Sequence, residues 1–196
     1  IPFSLGDLGY FVMGFLLLIW FINLFRKPQN WKIIVFEIAK GLSVFYFLFQ
    51  ILWAFNYYRE PLFVLMKIEK DYSDTDLLLF TKEMIRQTNT TQVALTNNPN
   101  LKVTNDLTQE EIFILSVNGY ENIAKKNSFF EYKSPSTKKS LISLPLSYMG
   151  FSGYLNPFTN EAQINDRVPM INFPFTVCHE MAHQIGYASE SEANFI

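Results

Sequence analysis

Five residues near the C-terminal end, His179-Glu180-Met181-Ala182-His183, have the types and spacing for metal chemistry. On a helix, positions i and i+4 share a face, so the two imidazoles can grip one ion. Glu180 follows the first histidine and can take a proton from a water activated at that ion. The implied cofactor is a single catalytic Zn2+, with His179 and His183 as ligands and Glu180 as general base. Both histidines of the chain fall in this pattern. The plain alternative is a polar helix face with two incidental histidines, and the helix signals around the motif weigh against it.

A catalytic zinc takes three protein ligands and leaves one position for water. There is no third histidine, so a carboxylate must serve. Gly186 ends the motif helix and lets the chain reverse, which leaves Glu190 and the alternative Glu192 both open as third ligand. Tyr154 and Tyr187 are candidates for stabilising an oxyanion, with core packing as the competing reading of each. Cys178 is the only cysteine. It cannot build an internal disulfide framework, and beside His179 it reads as a small buried hydrophobe on another helix face.

The elements that position these residues are legible around them. Asn172 as N-cap, Pro174 in the first turn and Gly186 as C′ residue predict a helix over 172–186. Ser189 caps a further helix with Glu190 and Glu192 in its first turn. Residues 138–165 read as strands and turns: Ser140 to Tyr148 and Gly153 to Ile164 are extended runs broken by Pro145, Gly150, Gly153 and Pro157. Residues 150–165 are then the natural edge for an extended peptide, or else a plain core hairpin. Upstream, Ser73 or Asp74 caps a helix to about Thr88 with apolar Leu77, Leu78, Phe80 and Ile85. Residues 96–106 read as loop. Thr108 with Glu111 forms a capping box that opens a helix to about Lys126, with Ile112, Leu115, Ile123 and Ala124 as its stripe.

Residues 1–58 differ in kind. Two spans, about 8–25 and 33–56, are long and apolar enough to cross a bilayer. Glu37 and Lys40 fall at i and i+3 in the second and can pair. Trp31, Trp53, Tyr57 and Tyr58 would form interfacial belts. Arg26, Lys27 and Lys32 flank the turn between spans, which places that turn in the cytoplasm and residues 59–196 outside it. Asp166, Arg167 and the polar residues after Gly186 argue that the motif helix lies outside the bilayer, against an intramembrane-cleaving protease. A net charge of −2 shows no nucleic-acid footprint. The chain opens at Ile1 without Met and stops at Ile196 inside an expected helix, which reads as truncation at both ends.

The run from His179 to Phe195, HEMAHQIGYASESEANF, resembles a bacterial membrane family known only as domain of unknown function 3810 and grouped with the HExxH zincin metallopeptidases. Pro2-Phe3-Ser4-Leu5-Gly6-Asp7, followed by a span, is similar to that family's membrane region. The resemblance covers essentially the whole chain and implies one more span upstream. In several HExxH groups the third ligand is the first Glu of E-x-x-A-[DN]. Glu190-Ser191-Glu192-Ala193-Asn194 matches that pattern, so the resemblance favours Glu190. The departure is the link, only Gln184 to Ser189, where many such groups carry a longer insert. In the similar metzincin run HExxHxxGxxH, a histidine stands where this chain has Ser189.

The expected fold class is therefore α+β, with two N-terminal transmembrane helices followed by a zincin-like domain over 59–196. The expected function is zinc-dependent hydrolysis of peptide bonds at the bacterial cytoplasmic membrane. The expected partners are the lipid bilayer and a peptide or protein substrate. The alternative is a non-proteolytic zinc-binding membrane protein, a sensor or assembly factor.

Overall fold

The computed structural model describes residues 3–26 and 30–196. Lys27 of the basic turn and Pro2 of the N-terminal motif lie outside the described residues. Two helices of 22 residues open the chain, α1 (Leu5–Arg26) and α2 (Trp31–Leu52). At 1.5 Å per residue each is about 33 Å long, enough for a hydrocarbon core of about 30 Å. Both are long and apolar enough to cross a membrane. Their side chains are almost wholly exposed; α1 buries only Gly6, Asp7 and Leu24, and α2 buries none. Glu37 and Lys40 pair at 2.5 Å on α2, as their spacing predicts. The helix stops at Leu52, short of residue 56, and the chain turns through a 3₁₀ segment, Ala54–Tyr58.

The α1 helix begins earlier than hydropathy alone predicts, because Ser4 caps it: its Oγ accepts the backbone N–H of Asp7 at 2.8 Å. A second cap comes from far along the chain. The Glu161 carboxylate accepts from Leu5 N at 3.3 Å and Gly6 N at 2.6 Å. A negative charge against the first N–H groups also complements the helix dipole.

The chain divides into two units. Residues 60–107 form one, with α3 (Leu62–Leu65) and α4 (Asp74–Thr96). Ser73 and Asp76 close a reciprocal capping box, and the helix ends on Asn97 at φ +54°. No Gly or Pro interrupts it, so it runs past Thr88 to Thr96. It buries no residue, and the expected face of Leu77, Leu78, Phe80 and Ile85 is exposed.

The other unit joins residues 1–59 to 108–196. Its helix α5 (Gln109–Ala124) opens on the expected Thr108–Glu111 capping box. The buried stripe is Ile112, Ser116 and Tyr120, an i, i+4, i+8 row, while Leu115 is exposed. Strand β1 (Thr137–Lys139) follows, then α6 (Ser143–Met149), β2 (Gly153–Asn156) and β3 (Glu161–Ile164). The expected extended run from Ser140 to Tyr148 is corrected here: most of it is α6. Pro145 sits in the first helical turn, where no N–H is needed, and Gly150 at φ +80° stops the helix. Ser143 Oγ donates to Ser140 O at 2.8 Å and tightens its start.

The sheet is mixed, in the order β1-β3-β2, with β1 parallel and β2 antiparallel to β3. Every residue of β3 is buried. Against the sheet and α5 lies α7 (Phe173–Gln184), whose Phe173, Val177 and Met181 join Ile112, Tyr120, Tyr132 and Ile164 in the core. These apolar residues at i, i+4, i+8 leave positions 179, 180 and 183 to the other faces. A short α8 (Glu190–Phe195) closes the described chain. The whole is mostly helical with one small three-stranded sheet.

Candidate metal centre

The C-terminal end of α7 is a Schellman turn. Tyr187 N donates to Ala182 O at 3.1 Å and Gly186 N to His183 O at 2.9 Å, with Gly186 at φ +95°. Asn172 occupies the N-cap position, but its side chain makes no capping bond. Arg59 reinforces the far end. Its Nη1 donates to Ile185 O at 2.8 Å, and its guanidinium stacks on the Tyr187 ring at 4.0 Å.

This turn has two results for chemistry. It lays the Tyr187 carbonyl 2.7 Å from His183 Nδ1, so that nitrogen must carry the proton and Nε2 is left as a bare lone pair. It also returns the chain so that Glu190 meets both histidines. His179 Nε2 lies 3.2 Å from one Glu190 oxygen, and His183 Nε2 lies 3.4 Å from the other. The two Nε2 atoms are 3.1 Å apart. All three ligand atoms fall within 4.8 Å of one another. Three electron-rich atoms facing one point repel unless a proton or a metal cation lies among them. The edge of a tetrahedron with zinc bonds of 2.0–2.1 Å is about 3.4 Å, so the spacing fits that ion. Burial lowers the His183 pKa, which favours the neutral form a metal requires.

Glu180 faces the same space. It is 5 % exposed, and its Oε2 finds no hydrogen-bond partner. Burial first, and the Glu190 charge second, push its pKa up to about 8. Its room is made by β2: a Cβ on Gly153 would stand 2.7 Å from Glu180 Cγ and Oε1. The Gly153, Tyr154 and Leu155 stretch of β2 lines the cleft above the cluster.

The predicted residues separate clearly. His179, His183, Glu180 and Glu190 come together. Glu192 is not part of the cluster, and its charge acts instead on the Tyr187 phenol. Tyr187 is buried. Its hydroxyl donates to Phe129 O at 3.3 Å and accepts from Arg59 at 3.3 Å, so it holds the turn. Tyr154 does line the cleft, but its hydroxyl donates to Asp7. The Cys178 thiol is partly buried and its pKa is raised by that burial; its carbonyl accepts from Tyr120 at 2.7 Å, which ties α5 to α7.

Sequence reasoning missed several supports. Asp7 is 1 % exposed and accepts from Ser140 Oγ at 3.0 Å, Leu141 N at 2.6 Å and the Tyr154 hydroxyl. Its signal was the Ser4-x-x-Asp7 spacing, a cap pattern hidden at the mouth of an apolar run. Gln184 takes the Tyr132 hydroxyl and reaches Asn160 O, fastening α7 to the β2–β3 turn. Trp53 presents its ring to His183 at 5.5 Å.

A family profile matches residues 1–196, the entire chain. The chain belongs to the family described as Protein of unknown function (DUF3810). The match takes in α1, α2 and the cluster together. No curated protein and no solved structure matches the chain significantly.

Proposed function

We propose that this chain is a membrane-anchored zinc metallopeptidase of zincin-like build that hydrolyses peptide bonds. The observation that carries the reading is the convergence of His179, His183 and Glu190 beside a buried, partnerless Glu180 carboxylate oxygen. His179, His183 and Glu190 would hold the zinc, which when bound would supply Lewis acidity for activating a water and polarising a carbonyl.

The chain's own residues do the rest. The Tyr187 carbonyl fixes the His183 tautomer. Glu180 takes the proton of the attacking water and delivers it to the amine as the C–N bond breaks and the new C–O bond forms. Among the described residues β2 is an edge strand paired to β3, so an extended substrate can add along its other side.

The same reading places the protein in the bacterial cytoplasmic membrane with the site outside the cytoplasm. Two contacts support it. Asp7, at the start of α1, and Trp53, just past α2, both meet the domain that holds the cluster. The basic turn between the helices then lies at their other ends, in keeping with the positive-inside rule.

The test is metal analysis of the purified full chain together with peptide hydrolysis. Wild type should carry one zinc per chain. Glu180→Gln should retain zinc and lose at least about a hundredfold in hydrolysis. A wild-type chain without stoichiometric zinc would sink the proposal. Retained zinc with no hydrolysis of any peptide would assign the centre to a non-proteolytic sensor or assembly factor.

A further inference from the structure

The cleft over the cluster has a volume of about 860 Å³ and three walls. One is β2 with Phe151 at its approach. The second is the first turn of α7, where Phe175 is exposed. The third is Phe49 and Trp53, from the last turn of α2 and the residue beyond it. Among the described residues, no lysine or arginine lines it.

The third wall sets the depth of the site. A helix turn rises 5.4 Å, and Phe49 lies within one turn of the end of α2. The residues just past that end, Trp53, Tyr57 and Tyr58, are of the kind that sits at the headgroup level. With α2 spanning the bilayer, the cluster opens at the membrane surface. Phe49 and Trp53 line the same cleft as the Gly153–Leu155 stretch of β2.

We infer that the cleft takes the juxtamembrane stretch of a membrane-anchored polypeptide: an extended, apolar segment immediately outside the bilayer in which its own span is embedded. Apolar walls suit such a segment, and shared anchorage confines it to the plane in which the cleft opens. A freely soluble polar peptide gains neither advantage. The inference rests on the metallopeptidase reading for what happens to the bound segment, and on the cleft together with α2 as a membrane span for which segment binds.

The test uses the full chain carrying Glu180→Gln, reconstituted in phosphatidylethanolamine–phosphatidylglycerol vesicles. Synthetic single-span peptides carry a benzophenone either immediately outside the span or about 15 residues farther out, roughly 50 Å of extended chain. A third peptide has the same apolar segment without a span. The near position should crosslink to the chain at least about tenfold more than the far position and the unanchored peptide, with adducts mapping to Phe49, Trp53 and the Phe151–Leu155 region. Equal crosslinking at near and far positions overturns the inference, as does labelling of lipid alone. The wild-type chain separates the two levels of the argument. Cleavage of unanchored polar peptides as efficient as cleavage next to the span overturns this inference and leaves the peptidase reading standing. Near-position crosslinking with no cleavage by a zinc-loaded wild type upholds it and removes the peptidase reading.

Discussion

His183 is held from three sides: a backbone carbonyl on Nδ1, the Trp53 indole in a T-shaped contact with its ring, and a carboxylate at Nε2. The carbonyl belongs to Tyr187, so that residue's backbone serves the His179–His183–Glu190 cluster and its phenol serves the turn. Tyr187→Phe separates the two uses. Removing the hydroxyl should cost about 1 kcal/mol in denaturant unfolding while zinc content and hydrolysis stay near wild type. A hundredfold loss of hydrolysis at unchanged stability would instead return the phenol to an oxyanion role. Gly153 makes the opposite case, a residue whose contribution is the atom it lacks. An alanine there meets Glu180 Cγ and Oε1 at 2.7 Å and Gln163 O at 2.8 Å. Gly153→Ala should therefore lower stability by about 1–3 kcal/mol and hydrolysis with it. A variant with wild-type melting and full activity would show that β2 can step away from Glu180.

At the scale of elements, the first turn of α1 is built into the sheet as well as into an apolar span. Asp7→Ala leaves the N–H of Leu141 and the hydroxyls of Ser140 and Tyr154 without their acceptor, and should cost about 3 kcal/mol or more in a thermal or denaturant melt. A shift below about 0.5 kcal/mol would mean that water replaces the carboxylate there. This docking also shows what the sequence can and cannot disclose. The motif helix, the Thr108–Glu111 box and the Gly186 stop are local: each depends on residues within one or two turns, and each is readable. The α6 helix was misread because Pro and Gly punctuate it at spacings that suit strands as well as a two-turn helix. The fate of Tyr154 was unreadable for a different reason. Its partner lies 147 positions away. The choice of Glu190 over Glu192 was readable only by pattern, since it depends on the angle at which α8 leaves the Schellman turn.

For the whole molecule, the arrangement of α1 and α2 makes a claim about sidedness. In a Cys178→Ala background, cysteines at Lys32 and at Lys133 should react with a membrane-impermeant maleimide from opposite sides of sealed vesicles; labelling of both from one side would sink the topology. Lys133 suits this because it is well exposed, with an ion pair at 3.2 Å to the exposed Glu131. The Glu161 and Asp7 contacts also carry a consequence in time. They join residues 133–156 positions apart. A ribosome adding about 5–20 residues per second needs roughly 7–30 s to cover that interval. Through it, the first turn of α1 waits with the Asp7 carboxylate unclaimed while the apolar helix behind it is already complete. A generic hydrophobic anchor spliced in place of α1 would keep the chain at the membrane and still deny the nascent sheet its last partner.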